Sequence, residues 1–292
     1  SNQLPLLCHM IATLRAQPEA QHFRIACLDL GLTPAERRWL DARDVQIAEP
    51  RHRFILPHTD FPRWMLYELA QPFLRETLPG WDIYFWIDAD VWFQDGRALT
   101  AFVDGAMRQG LALATERTSM YRVQPWLLAW MAKHFYLGFG AVQGSWLLSR
   151  EHFNSGVYAM HRDAPHWEAW TQAFAAAIRR SQAPNPHGQF SLNQLVHGRW
   201  FGAGRLGVAE LEPWANWICD RGVPMWNDET GLFCEPRAPY RPISALHLAG
   251  PGKTSVYDVR RTGGGSFTTM ILPGAAPDHA APVAARVAEA AR

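Results

Sequence analysis

Short, almost wholly apolar runs alternate with amphipathic helical stretches along this chain, and that alternation limits the fold more than any other feature. Phe23 to Leu28, Val45 to Ala48, Ile83 to Ile87, Leu111 to Thr115 and Phe153 to Met160 read as buried strands. Between them, Leu4 to Arg15 carries Leu7, Met10, Ile11 and Leu14 on one helical face. Arg97 to Arg108 reads as a second helix, and Pro165 to Arg180 groups Trp167, Trp170, Phe174 and Ile178 on one face of a third. Thr33-Pro34-Ala35-Glu36 predicts a helix start, with Thr33 as N-cap, Pro34 preset at the first helical position and Glu36 as reciprocal partner. Pro62 to Glu76 is helical in pattern, with Pro72 predicting a break near Gln71. Ser181 to Gly188, with Pro184 and Pro186, reads as a loop before a helix over Gln189 to Val196. The pattern predicts an α/β fold: a mostly parallel central sheet flanked by helices over residues 1–255, with a smaller C-terminal extension or tail over 256–292.

Composition narrows the function. The 292 residues are 48% hydrophobic and 19% charged with a net charge of +1, which suits a soluble chain with ample core and argues against disorder or nucleic-acid binding. Apolar runs such as Trp126 to Met131 fall short of the roughly 20 residues a membrane span needs. With no export leader, and with Cys8, Cys27, Cys219 and Cys234 forming no CxxC pair, the expected location is the cytoplasm, with at most peripheral membrane association.

Asp88 and Asp90 follow directly on an apolar strand, at the carboxyl end where open α/β sheets hold their ligands. Two carboxylates two residues apart suit a hard divalent cation, which would screen a diphosphate as leaving group. A D-x-D arises by chance about 0.7 times in such a chain, so its place after the strand and between Trp86 and Trp92 is what makes it informative. The rarer signal is His247-Leu248-Ala249-Gly250-Pro251-Gly252-Lys253, expected by chance about 0.006 times. His247 can complete a metal shell, Gly250 and Gly252 let backbone approach phosphate, and Lys253 is a point cation for it. The plainer reading is a core histidine before a Gly/Pro turn. Asn154, in Phe153-Asn154-Ser155-Gly156-Val157, is a candidate for sugar hydroxyls and Gln189, ahead of Leu192-Asn193, a candidate to face a site, against ordinary strand-entry and helix-start roles.

Taken in order, Asp88-Ala89-Asp90, Asn154-Ser155-Gly156, Gln189-x-x-Leu192-Asn193 and His247-x-x-Gly250-x-x-Lys253 resemble glycosyltransferase family 8, the retaining glycogenin-like and lipopolysaccharide hexosyltransferase group. Asp29-Leu30-Gly31-Leu32-Thr33 is similar to that group's early segment. The resemblance, over roughly residues 1 to 255, implies a GT-A-like fold and Mn²⁺-dependent (or Mg²⁺-dependent) transfer of a hexose from a UDP-sugar with retention. It implies Asp88, Asp90 and His247 as metal ligands and Lys253, Gly250 and Gly252 as diphosphate contacts. Asn154 and Gln189 would lie against the donor sugar, Gln189 nearest the anomeric face. Two departures stand out: Gly188 replaces an acidic residue of the family, and the family's first strand would precede residue 1. Arg63 is a candidate replacement for a basic phosphate contact, against a plain surface arginine. In the Trp-rich stretch Trp200, Trp214, Trp217 and Trp226, Trp214 and Trp217 are candidates for a saccharide or glycolipid acceptor platform, against core packing. The alternatives from other classes are a sugar-nucleotide nucleotidyltransferase or phosphohydrolase, and a non-catalytic carbohydrate-binding relative.

Overall fold

The computed structural model describes residues 3–56, 61–182, 187–198 and 206–277. The chain opens with α1 (Leu4–Arg15), β1 (Ala26–Leu28), α2 (Pro34–Asp41), β2 (Gln46–Ala48), α3 (Leu66–Ala70) and α4 (Leu74–Thr77). Next come β3 (Ile83–Ile87), β4 (Val91–Phe93), α5 (Arg97–Gln109), β5 (Leu111–Thr115), α6 (Pro125–Leu148), β6 (Phe153–His161), α7 (His166–Ser181) and α8 (His187–His197). Short strands finish it: β7 (Ala209–Leu211), β8 (Trp217–Ile218), β9 (Met225–Asn227), β10 (Leu232–Cys234), β11 (Ala245–His247), β12 (Tyr257–Arg260) and β13 (Ser266–Thr269).

Local chemistry sets these boundaries. At α2 the Thr33 hydroxyl accepts from the Glu36 amide at 3.3 Å, and the Glu36 carboxylate accepts from the Thr33 amide at 2.6 Å, the expected reciprocal cap. Between α3 and α4 the chain tightens into a 3-10 turn over Gln71–Phe73, because Pro72 cannot donate to the helix ladder.

A four-stranded sheet in the order β3-β6-β5-β7 carries the core on both faces. Its side chains alternate by the two-residue strand period. Ala112, Ala114, Val157 and Ala159 face α1 and α5, whereas Leu111, Leu113, Tyr158 and Met160 face the aromatic residues of α7. Small residues on the α5 side allow close approach, and a Cβ on Gly105 would lie 2.7 Å from Ala209 Cβ and 2.9 Å from Ala112 Cβ.

The α/β layering is as expected, but the strand directions need correcting. β6 runs antiparallel to both β3 and β5, so the sheet is mixed; the parallel pairs are β5–β7, β1–β2 and β8–β11. A helix between two strands enforces parallel pairing only when the chain returns to the same end of the sheet. Here the stretch from β5 through α6 delivers β6 reversed, between β3 and β5. Among the described residues, β1 pairs only with β2 and β3 only with β6.

The sequence reading missed α6 because its 24 residues hold one formal charge, Lys133, and no polar stripe. Gly140, at φ +80°, interrupts the helix, and Phe135 packs on Phe190 of α8. No helix among the described residues is long and apolar enough to cross a membrane. At the other end, Tyr257, Val259, Ile271 and Leu272 pack with Trp92, Trp217 and Leu246, so the β12–β13 hairpin shares a core with β4 and β11. The four cysteines are free. Trp200, Pro184, Pro186 and residues 278–292 lie outside the described residues.

Candidate active site

The D-x-D segment sits where the chain leaves one sheet for another. Ile87 pairs with Val157, and one residue later the Asp88 amide donates to the Gly156 carbonyl at 2.7 Å. A turn closed by Val91 N–H on the Asp88 carbonyl then feeds β4 into a three-stranded sheet, β4-β11-β8. There β11 pairs with β4 and sets His247 opposite Val91, while the Leu248 amide donates to the Asp90 carbonyl at 2.9 Å. Backbone pairing alone brings the distant histidine to the Asp pair. His247 Nε2 lies 3.5 Å from Asp90 Oδ1 and 3.9 Å from Asp88 Oδ2, and one ligand atom from each residue falls within 4.8 Å of the others.

A register shift opens the space. Leu113 of β5 faces Tyr158, but the next residue, Ala114, faces Asn154, so the intervening β6 residues bulge from that ladder. Gly156 lies in this bulge. A Cβ there would stand 2.5 Å from His247 Cε1 and 2.7 Å from Asp88 Oδ2, so only glycine leaves the two side chains where they are.

The electrostatics are those of two carboxylates held close together beside an imidazole and an ammonium. Burial, then the neighbouring Asp90, raises the Asp88 carboxyl to about 6. Burial also opposes ionisation of Asp90, but His247 and Lys253 outweigh it and hold that carboxyl below its usual range. Lys253 Nζ lies 3.2 Å from Asp90 Oδ2. Burial disfavours a charged His247, yet Asp90 and then Asp88 raise its pKa above the ordinary imidazole value. Hard oxygen ligands and one imidazole at this spacing fit Mn²⁺ or Mg²⁺.

A buried amide relay fixes which imidazole nitrogen faces that space. Gly156 N–H donates to Asn154 Oδ1 at 2.8 Å, and a backbone N–H can only donate, so that atom is the oxygen. Asn216 must then turn its NH₂ toward Asn154 (3.1 Å) and its oxygen toward His247 Nδ1 (3.1 Å). Nδ1 therefore carries hydrogen, leaving Nε2 as the ligand atom. Behind the relay, Asn154 Nδ2 donates to Glu116 at 3.0 Å. Arg221 and His152, each 2.7 Å from Glu116, overcome its burial and keep that carboxyl ionised well below its usual range. Asn216→Leu keeps the volume and removes both side-chain hydrogen bonds. Isothermal titration of that variant with Mn²⁺ is expected to show affinity lower by about 30-fold, the scale of a lost ligand-orienting partner.

The remaining candidates divide. Asn154 is 9% exposed, and both ends of its amide are engaged by the relay. Gln189, on the first turn of α8, accepts from Ser155 N–H (3.0 Å) and Oγ (3.1 Å), while its Nε2 has no partner among the described residues. Gly250, at φ +58°, starts the 3-10 turn that ends at Lys253. Gly252 lets the turn meet the C-terminal hairpin, since a Cβ there would sit 3.2 Å from the Tyr257 hydroxyl. Arg63 contacts the Asp29 carbonyl and Glu49 and, among the described residues, has no bond to the Asp88–Asp90–His247 cluster. Trp217 corrects an expectation: it is fully buried against Tyr121 and donates its N–H to the Gly222 carbonyl, leaving no ring face for a sugar. Trp214 is half-buried, hydrogen-bonded to Glu212 with the Arg97 guanidinium over its ring. Asn216, Glu116, Arg221 and the α3 residues Tyr67 and Glu68 lie in no motif, so sequence reading gave them no role.

An α/β sheet with an Asp-x-Asp turn at a strand end, completed by His from a second sheet and Lys from the turn that follows it, has the GT-A-like layout, and in fold the chain belongs to that class. Among solved structures, an active-site mutant of LgtC is similar at TM-score 0.50 and 15% identity, over 99% of this chain and 92% of that chain. The galactosyltransferase LgtC with donor and acceptor sugar analogues gives TM-score 0.49 and 15% identity, over 86% and 85% of the two chains. Mouse xyloside xylosyltransferase 1 gives 0.48 and 12%, over 85% and 92%. At these identities the likeness is one of fold. No family model and no curated protein matches the sequence.

Proposed function

We propose that this chain is a retaining glycosyltransferase that moves a hexose from a UDP-sugar to a hydroxyl of a saccharide or glycolipid acceptor, using Mn²⁺ or Mg²⁺. The observation that carries the reading is the convergence of Asp88, Asp90 and His247 within 4.8 Å, with Lys253 against Asp90. Asp88, Asp90 and His247 would hold a divalent ion, which would supply positive charge to a diphosphate leaving group. Lys253, released from Asp90, neutralises phosphate oxygens as a point cation. Gln189 is held by Ser155 so that its amide NH₂ turns to the donor, which suits hydrogen bonding to the sugar or its glycosidic oxygen. Asn154 acts behind the site, as a positioning residue for Gly156 and, through Asn216, for His247.

Retention is accounted for by front-face attack. The bond from the anomeric carbon to the diphosphate oxygen breaks with its electron pair on that oxygen. The acceptor oxygen bonds to the same face, and its proton passes to the departing phosphate oxygen. Gln189 Oε1 already accepts two hydrogen bonds from Ser155, and an amide oxygen is a weak nucleophile. A glycosyl adduct trapped on any side chain and seen by mass spectrometry would overturn the front-face step.

The function is tested by a thermal-shift and hydrolysis panel of UDP-, CTP- and ATP-type ligands with and without Mn²⁺. Metal-dependent stabilisation by UDP over the other nucleotides, with slow release of free hexose from a UDP-sugar, is expected. Stabilisation without hexose release from any UDP-sugar would point to a non-catalytic relative.

A further inference from the structure

Glu68 is a buried carboxylate that the function above does not use. It lies on α3, 7% exposed, with Oε2 accepting from the Gly188 amide at 3.2 Å and Oε1 from the Tyr67 hydroxyl at 3.1 Å. The Gly188 peptide is held from its other side by Trp170 Nε1 on its carbonyl at 3.0 Å. The next residue is Gln189, locked on Ser155 beside the Gly156 gap in front of Asp88 and His247. Tyr67 lies stacked on Trp86 at 6.4 Å, and the Trp86 N–H donates to Asp88 at 2.7 Å. Glu68 therefore adjoins, through Tyr67 and Trp86, the segment that carries Asp88, and it holds the same first turn that carries Gln189.

We propose that Glu68 selects the transferred sugar, its carboxylate accepting hydrogen bonds from hydroxyls of the hexose held between Gln189 and Asp88; this rests on the transferase reading above. The alternative is that Glu68 merely braces the start of α8, where a negative charge is favourable. Its setting is a costly one for a brace. Burial is the main reason its carboxyl is raised to about 7, and the nearby Asp88 adds to that. Directional acceptors of this kind discriminate hydroxyl epimers because only a hydroxyl of the right configuration points its hydrogen at the carboxylate. The geometry also says where else the carboxylate could come from. A Cβ on Gly188 would lie 3.1 Å from Glu68 Oε2, so a side chain at 188 would project into the place that the Glu68 carboxylate occupies.

The test compares the unaltered chain, Glu68→Gln and the double variant Glu68→Ala/Gly188→Asp. For each, Mn²⁺-dependent UDP affinity is measured together with kcat/KM for UDP-glucose and UDP-galactose. Glutamine preserves volume and an acceptor for the Gly188 amide, so fold and UDP affinity (within about twofold) are expected to survive, while kcat/KM for the preferred donor falls about 30-fold and the epimer ratio shrinks. The double variant returns a carboxylate from the other backbone position and is expected to regain most of the ratio. An unchanged epimer ratio in Glu68→Gln would overturn the assignment. So would equal losses of UDP and UDP-sugar affinity, the mark of a brace. If the unaltered chain shows no Mn²⁺-dependent UDP binding, the transferase reading fails first, before any variant is compared, and the assignment fails with it.

Discussion

Asp90→Asn is expected to abolish the response of this protein to Mn²⁺ and to lower donor turnover about a thousandfold, the loss of a charge-stabilising group at a reacting centre. The substitution is nearly isosteric and sits in a 6%-exposed position, so packing is preserved. What it removes is the carboxylate against which His247 and Lys253 both lie, at 3.5 Å and 3.2 Å. Two effects follow without metal and can be measured separately. Apo stability should fall, because pairing with His247 and Lys253 outweighs the burial of Asp90, and its loss leaves those two groups without their carboxylate. His247 should titrate lower, because Asp90 is the larger of the two groups raising it and burial acts the other way. With metal, the stabilisation seen for the unaltered chain, about 2.7 kcal/mol at one hundred times Kd, should vanish. Mn²⁺-dependent turnover surviving within about tenfold would place the ion elsewhere.

The layers and the Asp88–Asp90–His247 cluster were legible in the sequence for different reasons. Ile83 to Ile87 and Leu111 to Thr115 are short apolar runs bounded by polar or turn residues, and the structure begins and ends those strands at the same residues. Asp88, Asp90 and His247 were legible as residue types at strand ends, which is a local property. The direction of β6 was not local, because it depends on where the chain emerges after α6. Trp217 misled because tryptophan has the same composition signature on a sugar platform and in a core; burial alone separates the two. The relay through Asn216 and Asn154 to Glu116 was invisible for a third reason. Its members come from β6 and two separate loops and meet only through side chains, with no spacing rule to link them. Glu68 was hidden in the same way, in a helical stretch whose clearest mark was Pro72.

Two glycine-to-alanine changes, one in each part of the fold, separate site from scaffold. Gly156→Ala introduces a methyl that would lie 2.5 Å from His247 Cε1, 2.7 Å from Asp88 Oδ2 and 2.8 Å from Asn154 Oδ1. All three belong to the cluster or its relay, and none is the loose end of an exposed chain. Gly156 is not among the positive-φ residues, so alanine carries no backbone penalty there and the whole cost is steric. Displacing ligand-bearing atoms by a fraction of an ångström to an ångström is expected to cost about 100-fold in turnover. Gly105→Ala also crowds atoms below 3 Å, but these are the Ala209 and Ala112 methyls between α5 and the sheet. Overpacking of that kind costs about 1–3 kcal/mol of stability and leaves the cluster untouched. Chemical denaturation and Mn²⁺ titration run on both variants should therefore separate in the metal arm: crowding weakens both proteins, but only Gly156→Ala binds metal poorly, while Gly105→Ala binds it normally. Equal metal affinity in the two would mean that the gap at Gly156 has no part in the cation site, because the bulge, the histidine and the Asp pair meet only there.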